Sequence, residues 1–240
     1  MAAAQTGQEK KTEATGTATG ARITGSQQAD VIENMADLQK RLNDSTNVIQ
    51  TMTPRGEDKI PPQIIENSGG IAIFPDVTKV ALGTVGGRYG GGVLMLHRDN
   101  EWSGPIFISL YGASVGAQLG VEQSDLIMVF TKNTSLEKFS DGELQLGAEV
   151  SVAAGPWGEK AGASPQAEVL AYKQTEGIFA GIALSGAILN TGEENNRMYY
   201  SEAKGAYPGT EKVLSGQEKL PKTEQTAALI QALNKYTRQK

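Results

Sequence analysis

Gly83-Thr84-Val85-Gly86-Gly87-Arg88-Tyr89-Gly90-Gly91-Gly92 is the densest glycine stretch of the chain, and what it forms decides the fold. A nucleotide cradle is one reading. The dinucleotide fingerprint needs glycines at i, i+2 and i+5, and no glycine here starts such a set. The triphosphate loop ends in Gly-Lys-Ser/Thr, which is absent, and no helical pattern follows to supply an anion-binding N-terminus. Short apolar runs flank the stretch instead, Lys79–Val85 before it and Gly92–His97 after. It reads as a β-hairpin kinked by glycine, which permits bulges, sharp coiling and close approach of a neighbouring backbone.

The pattern extends outward. The chain has 29 glycines in 240 residues, about 12% against an ordinary usage of about 7%, and 20 of them fall between Gly69 and Gly186. No Gly-X-Y period is present, and apolar residues fill the spaces, so neither collagen nor a disordered glycine tract fits. Strands are predicted at 71–74, 79–85, 92–97, 106–113, 117–122, 126–132, 144–153, 168–174 and 177–189, with a short helix at 135–139 and a helical turn at 195–201. So many strands without helices between most of them predict an α+β fold. Its body is a strongly curved or barrel-like antiparallel sheet, flanked by helices at the N- and C-termini.

The N-terminal helix is read at 29–53. Val31, Ile32, Met35, Leu38, Leu42, Ile49 and Met52 line one stripe, and Pro54 ends it. A second short helix starts at Pro61-Pro62, and a C-terminal one, introduced by Pro221, covers 221–238 with Leu229, Ile230, Leu233 and Tyr236 on one face. Residues 1–28 have almost nothing to bury and read as a mobile tail, leaving a single domain at 29–240. Ala2-Ala3-Ala4-Gln5 looks like the remnant of a signal cleavage site, so a periplasmic or extracellular protein is expected, with a cytoplasmic one as the alternative.

Chemistry is scarce. Without cysteine and with one histidine, His97, only carboxylates are left to hold a metal, and Asp141-Gly142-Glu143 lacks the spacing of a calcium loop. Gly112-Ala113-Ser114-Val115-Gly116 matches a nucleophile elbow by letters. A strand follows it rather than a helix, and His97 lies upstream. Glu122 and Asp125 are the nearest thing to a paired-carboxylate site. No catalytic residue, metal or cofactor is assigned, and the net charge of −5 argues against nucleic acid. Trp102 and Trp157, each in a Gly/Pro turn, either cap the core or anchor a ligand or lipid interface.

Between residues 60 and 200 ordered motifs accumulate: Ile60-Pro61-Pro62, Gly70-Ile71-Ala72-Ile73-Phe74-Pro75, Gly86-Gly87-Arg88-Tyr89-Gly90 and Trp102-Ser103 before Pro105. They continue with Gly116-Ala117-Gln118-Leu119-Gly120, Asp125-Leu126-Ile127, Ala153-Ala154-Gly155-Pro156, Tyr172, Gly177-Ile178-Phe179-Ala180-Gly181 and Asn196 before Tyr199-Tyr200. In this order they resemble the SYLF domain family, lipid- and actin-binding domains found in eukaryotes and widely in bacteria. The resemblance implies a bacterial, non-catalytic module that associates with membrane lipid or an amphiphilic ligand, anionic phospholipid or phosphoinositide included. Lys79 and Arg88 match basic positions of the family pattern, and with Tyr89, Trp102 and Trp157 they form the candidate lipid-binding set. The family's basic character is thinned by Glu159 and by Lys173-Gln174-Thr175-Glu176, and the 29–52 helix sums to −2. Actin is therefore not the expected partner. The alternative is an envelope structural or interaction protein that docks a partner through the N-terminal amphipathic helix.

Overall fold

Asn34 and Asp37 start the first helix, α1 (Met35–Met52), by capping each other: the Asn34 side chain accepts from Asp37 N–H at 3.1 Å and Asp37 accepts from Asn34 N–H. The computed structural model describes residues 33–53, 60–83, 85–115, 120–139, 141–156, 167–176, 178–182, 184–202 and 206–237. The expected tail, the helix start at 29–32, Trp157, Glu159 and the motif residues 116–119 lie outside them. After α1 come α2 (Pro62–Glu66), β1 (Gly70–Leu82), β2 (Val85–Arg98), β3 (Glu101–Trp102), β4 (Ile106–Val115) and β5 (Gly120–Phe130). Then follow α3 (Asn133–Glu137), β6 (Glu143–Gln145), β7 (Val152–Ala154), β8 (Val169–Thr175), β9 (Ile178–Gly181) and β10 (Ala187–Thr191). The chain closes with α4 (Glu193–Glu202), α5 (Thr210–Leu214), a 3-10 turn at 224–226 and α6 (Ala227–Thr237).

The strands form one sheet in the order β6-β10-β4-β2-β1-β5-β8-β7, with β3 beside the end of β2 and β9 beside β8. Every pairing is antiparallel except β7 with β8. The two edge strands, β6 and β7, are joined by only the six residues 146–151, and β9 reaches β10 through only 182–186. Connections this short force opposite edges together, so the sheet curls into the barrel-like form expected from the sequence. The inner face is filled by Phe74, Leu94, Leu110, Leu126, Met128, Leu144, Val169 and Leu189, each at most 1% exposed. Helices α1 and α4 cover one half of the outer face, and α6 packs against α1 and α2. Leu38, Leu42, Val48, Ile49 and Met52 of α1 are buried there, and Phe107 meets Tyr199 edge to face.

Two predicted strands merge into β1 because a bulge replaces the expected break. Pro75 has no N–H for the ladder, and Asp76 takes a positive φ of 55°. The register shifts between Phe74 and Val77 against β5, and Asp76 N–H turns aside to the Asp125 carboxylate at 3.1 Å. The glycine triplet of β2 accommodates this bulge. A Cβ at Gly90 would sit 2.9 Å from Val77, one at Gly92 would overlap the Phe74 ring, and one at Gly91 would strike the Arg41 guanidinium of α1. The opening stretch is thus a hairpin, as read, and Gly90, Gly91 and Gly92 are spaces filled by neighbours.

The sequence reading erred where turns hide inside apolar runs. Residues 144–153 form two short strands around a turn at 147–149, and 177–189 also divides in two. The turn at 195–201 extends to the full helix α4, α5 was not anticipated, and α6 starts after the 3-10 turn rather than at Pro221.

Candidate functional site

The half of the sheet that no described helix covers is made of the far ends of β1, β2, β4, β5, β8 and β9. Cross-strand partners point to one face, so the ladder assigns side chains directly. On the inner face one row runs Ala187, Gly112, Arg88, Lys79, Glu122 across five strands. Lys173 joins it from β8, its ammonium paired with the Glu122 carboxylate, and the Thr175 hydroxyl donates to the same oxygen at 3.3 Å. Arg88 is half-buried and forms no ion pair among the described residues. Burial lowers its pKa, with Glu122 opposing. Gly112 leaves room for its stem, since a Cβ there would lie 3.3 Å from Arg88 Cγ. Glu122 is held below the usual carboxylate range, first by the hydrogen bond from Lys173. Three cations therefore share one carboxylate at the mouth of the curl.

The rim and the outer face differ in kind. At the hairpin ends Val85 is 69% and Ile178 73% exposed. On the outer face two rows, Ala113-Gly87-Val80-Val121 and Tyr111-Tyr89-Thr78-Gln123, carry no charge. Tyr89 is 57% and Val121 70% exposed.

The candidate residues separate accordingly. Lys79 and Arg88 come together, and Tyr89 is adjacent but on the opposite face. Trp102 is not a surface anchor. It is 1% exposed and stacks on His97 with ring centroids 4.4 Å apart, because the β2–β3 hairpin folds it onto the core. His97 lies nine residues along β2 from Arg88, about 30 Å at strand rise. Trp157 lies outside the described residues. Lys173 and Glu122 were not in the candidate set. Their signal was parity, since both fall on the inward register once the strands are aligned.

The enzyme readings lose their geometry. Ser114 pairs with Gly86, eleven residues along β2 from His97, so nucleophile and base stand some 35 Å apart at strand rise. Glu122 and Asp125 point to opposite faces of β5. Among the described residues no group of His, Asp and Glu is placed to hold a metal, and no helix is long and apolar enough to cross a membrane.

Residues 111–236 match the Ysc84 family model, described as Las17-binding protein actin regulator. The chain belongs to this family, the SYLF domain family of the sequence resemblance. It is 34% identical over 171 residues to Protein YSC84 of Saccharomyces cerevisiae, covering 68% of this chain and 35% of the relative. It is 32% identical over 189 residues to SH3 domain-containing YSC84-like protein 1 of Homo sapiens, covering 76% of this chain and 53% of the relative. The chain thus spans about a third of the yeast relative's length and about half of the human one's.

Proposed function

We propose that this chain is a non-catalytic module that associates with anionic membrane lipid through the end of its sheet that no described helix covers. One observation carries the reading: Arg88, Lys79 and Lys173 gather around a single carboxylate, between hairpin ends that expose Val85 and Ile178. Apolar tips favour the boundary between headgroups and acyl chains, and each cation near an anionic surface adds about 1 kcal/mol. Arg88 supplies a planar fork matched to phosphate, while Lys173 is partly neutralised by Glu122. Anionic phospholipid in general is the proposed ligand class, phosphoinositide included.

Docking of a partner by the α1 stripe is not retained, because that stripe is the chain's own core. A protein partner remains a second reading, favoured by the family's description as Las17-binding protein actin regulator. Vesicle flotation tests the first reading. Flotation with phosphatidylcholine vesicles containing phosphatidylserine, lost at high salt, is the expected result. Equal recovery with neutral and anionic vesicles, or none with either, would contradict it.

A further inference from the structure

The charge-free outer rows do not end in solvent on the side of α1. Tyr89 also forms the wall of a cavity of about 240 Å³ between α1 and the β1 bulge. Glu33, Asp37, Asp44 and Asp76 line it against Lys40 and Arg41. Lys40 is paired with Asp44 and Arg41 with Glu33, so Asp37 and Asp76 stand as the excess. One Glu33 oxygen, Oε2, is buried with no hydrogen-bond partner among the described residues. Beside the cavity the half-buried Asp125 is raised above the usual carboxylate range by burial and by the like charges of Asp76 and Asp44. Four carboxylates thus line the cleft against two cations, and through Tyr89 it adjoins the exposed apolar sheet face.

We propose that this face and cleft together bind a polypeptide segment that is apolar along one side and carries Lys or Arg at the end that enters the cleft. Val80, Val121 and Tyr89 supply a flat contact surface, and Gly87 between them lets a side chain approach the backbone. The acidic cleft fixes the direction of the segment and selects against acidic competitors. The surface is separate from the cationic mouth, since it lies on the other side of the same strands and has the opposite charge. It does not depend on lipid binding.

The probe is a fluorescein-labelled amphipathic helix of Leu and Lys, compared with the same design in Leu and Glu, by anisotropy with the full chain. The Leu/Lys probe should bind at least about tenfold tighter than the Leu/Glu probe, the advantage shrinking with salt. Val121→Asp should weaken it by about tenfold, and the double change Asp44→Asn with Asp76→Asn should remove most of the preference for Lys. Asn tolerates the positive φ at position 76, and an unchanged melting temperature checks that each variant is folded. Charge reversal at Lys79 and Arg88 should leave probe binding intact while lowering vesicle binding, which separates the two surfaces. Equal affinity for the two probes, or affinity untouched by Val121→Asp and by the double change, would overturn the proposal. So would a concentration-dependent dimer abolished by Val121→Asp, which would assign the face to a second copy.

Discussion

Asp125 shows how a single group records its neighbourhood. It accepts a hydrogen bond from Asp76 N–H, yet burial raises its pKa in the folded chain. Stability from such a group is present below the ordinary carboxylate range and is lost as pH rises through the raised value. Asp125→Asn keeps an acceptor for Asp76 and removes the charge. The variant should melt higher than the parent at neutral pH, with the gain disappearing in acid; a lower neutral melting temperature would refute this account. Tyr172 carries a different imbalance: its hydroxyl is buried with no hydrogen-bond partner among the described residues, and burial pushes its pKa up. Tyr172→Phe removes the orphan group, and denaturant unfolding should find the variant as stable as the parent or more stable by up to about 1 kcal/mol.

Elements are held by a few side chains that answer buried backbone groups. Asn196 of α4 accepts from Phe107 N–H at 2.8 Å and donates to Phe107 O at 3.0 Å, clamping the helix to the start of β4. Asn196→Ala leaves Phe107 N–H unanswered in the core and its carbonyl with Gly192 N–H alone, and should lower unfolding free energy by roughly 2 kcal/mol in urea titration. Gly92→Ala drives a methyl into the Phe74 ring and should cost about 2 kcal/mol, read in the same titration. This is also the scale at which sequence reading succeeds and fails. The α1 stripe and the β2 hairpin were legible because their periods run long enough to be distinct. The bulge at Pro75-Asp76 was not, since a positive φ at an aspartate leaves no periodic trace. Nor was the division of 144–153, where apolar Leu146 and Val150 flank the turn.

At the scale of the whole molecule the curled sheet is sided twice, inside against outside and helix-covered end against the end that no described helix covers. Composition gives a net charge of −5, which hides three cations gathered at one mouth. Lys79 and Arg88 could be marked from sequence by their family positions. Their meeting with Lys173 could not, because it requires the register of β8 on β5 and of β5 on β1. Trp102 drew attention as an aromatic in a turn, and only packing against His97 reveals it as core. Contact of this mouth with anionic lipid is measured most directly by flotation of the parent and of the Lys79→Glu, Arg88→Glu double variant on phosphatidylserine-containing vesicles. Reversing both charges changes the mouth by four units and should abolish flotation while the melting temperature stays near the parent's. Undiminished flotation of a folded double variant would contradict the claim.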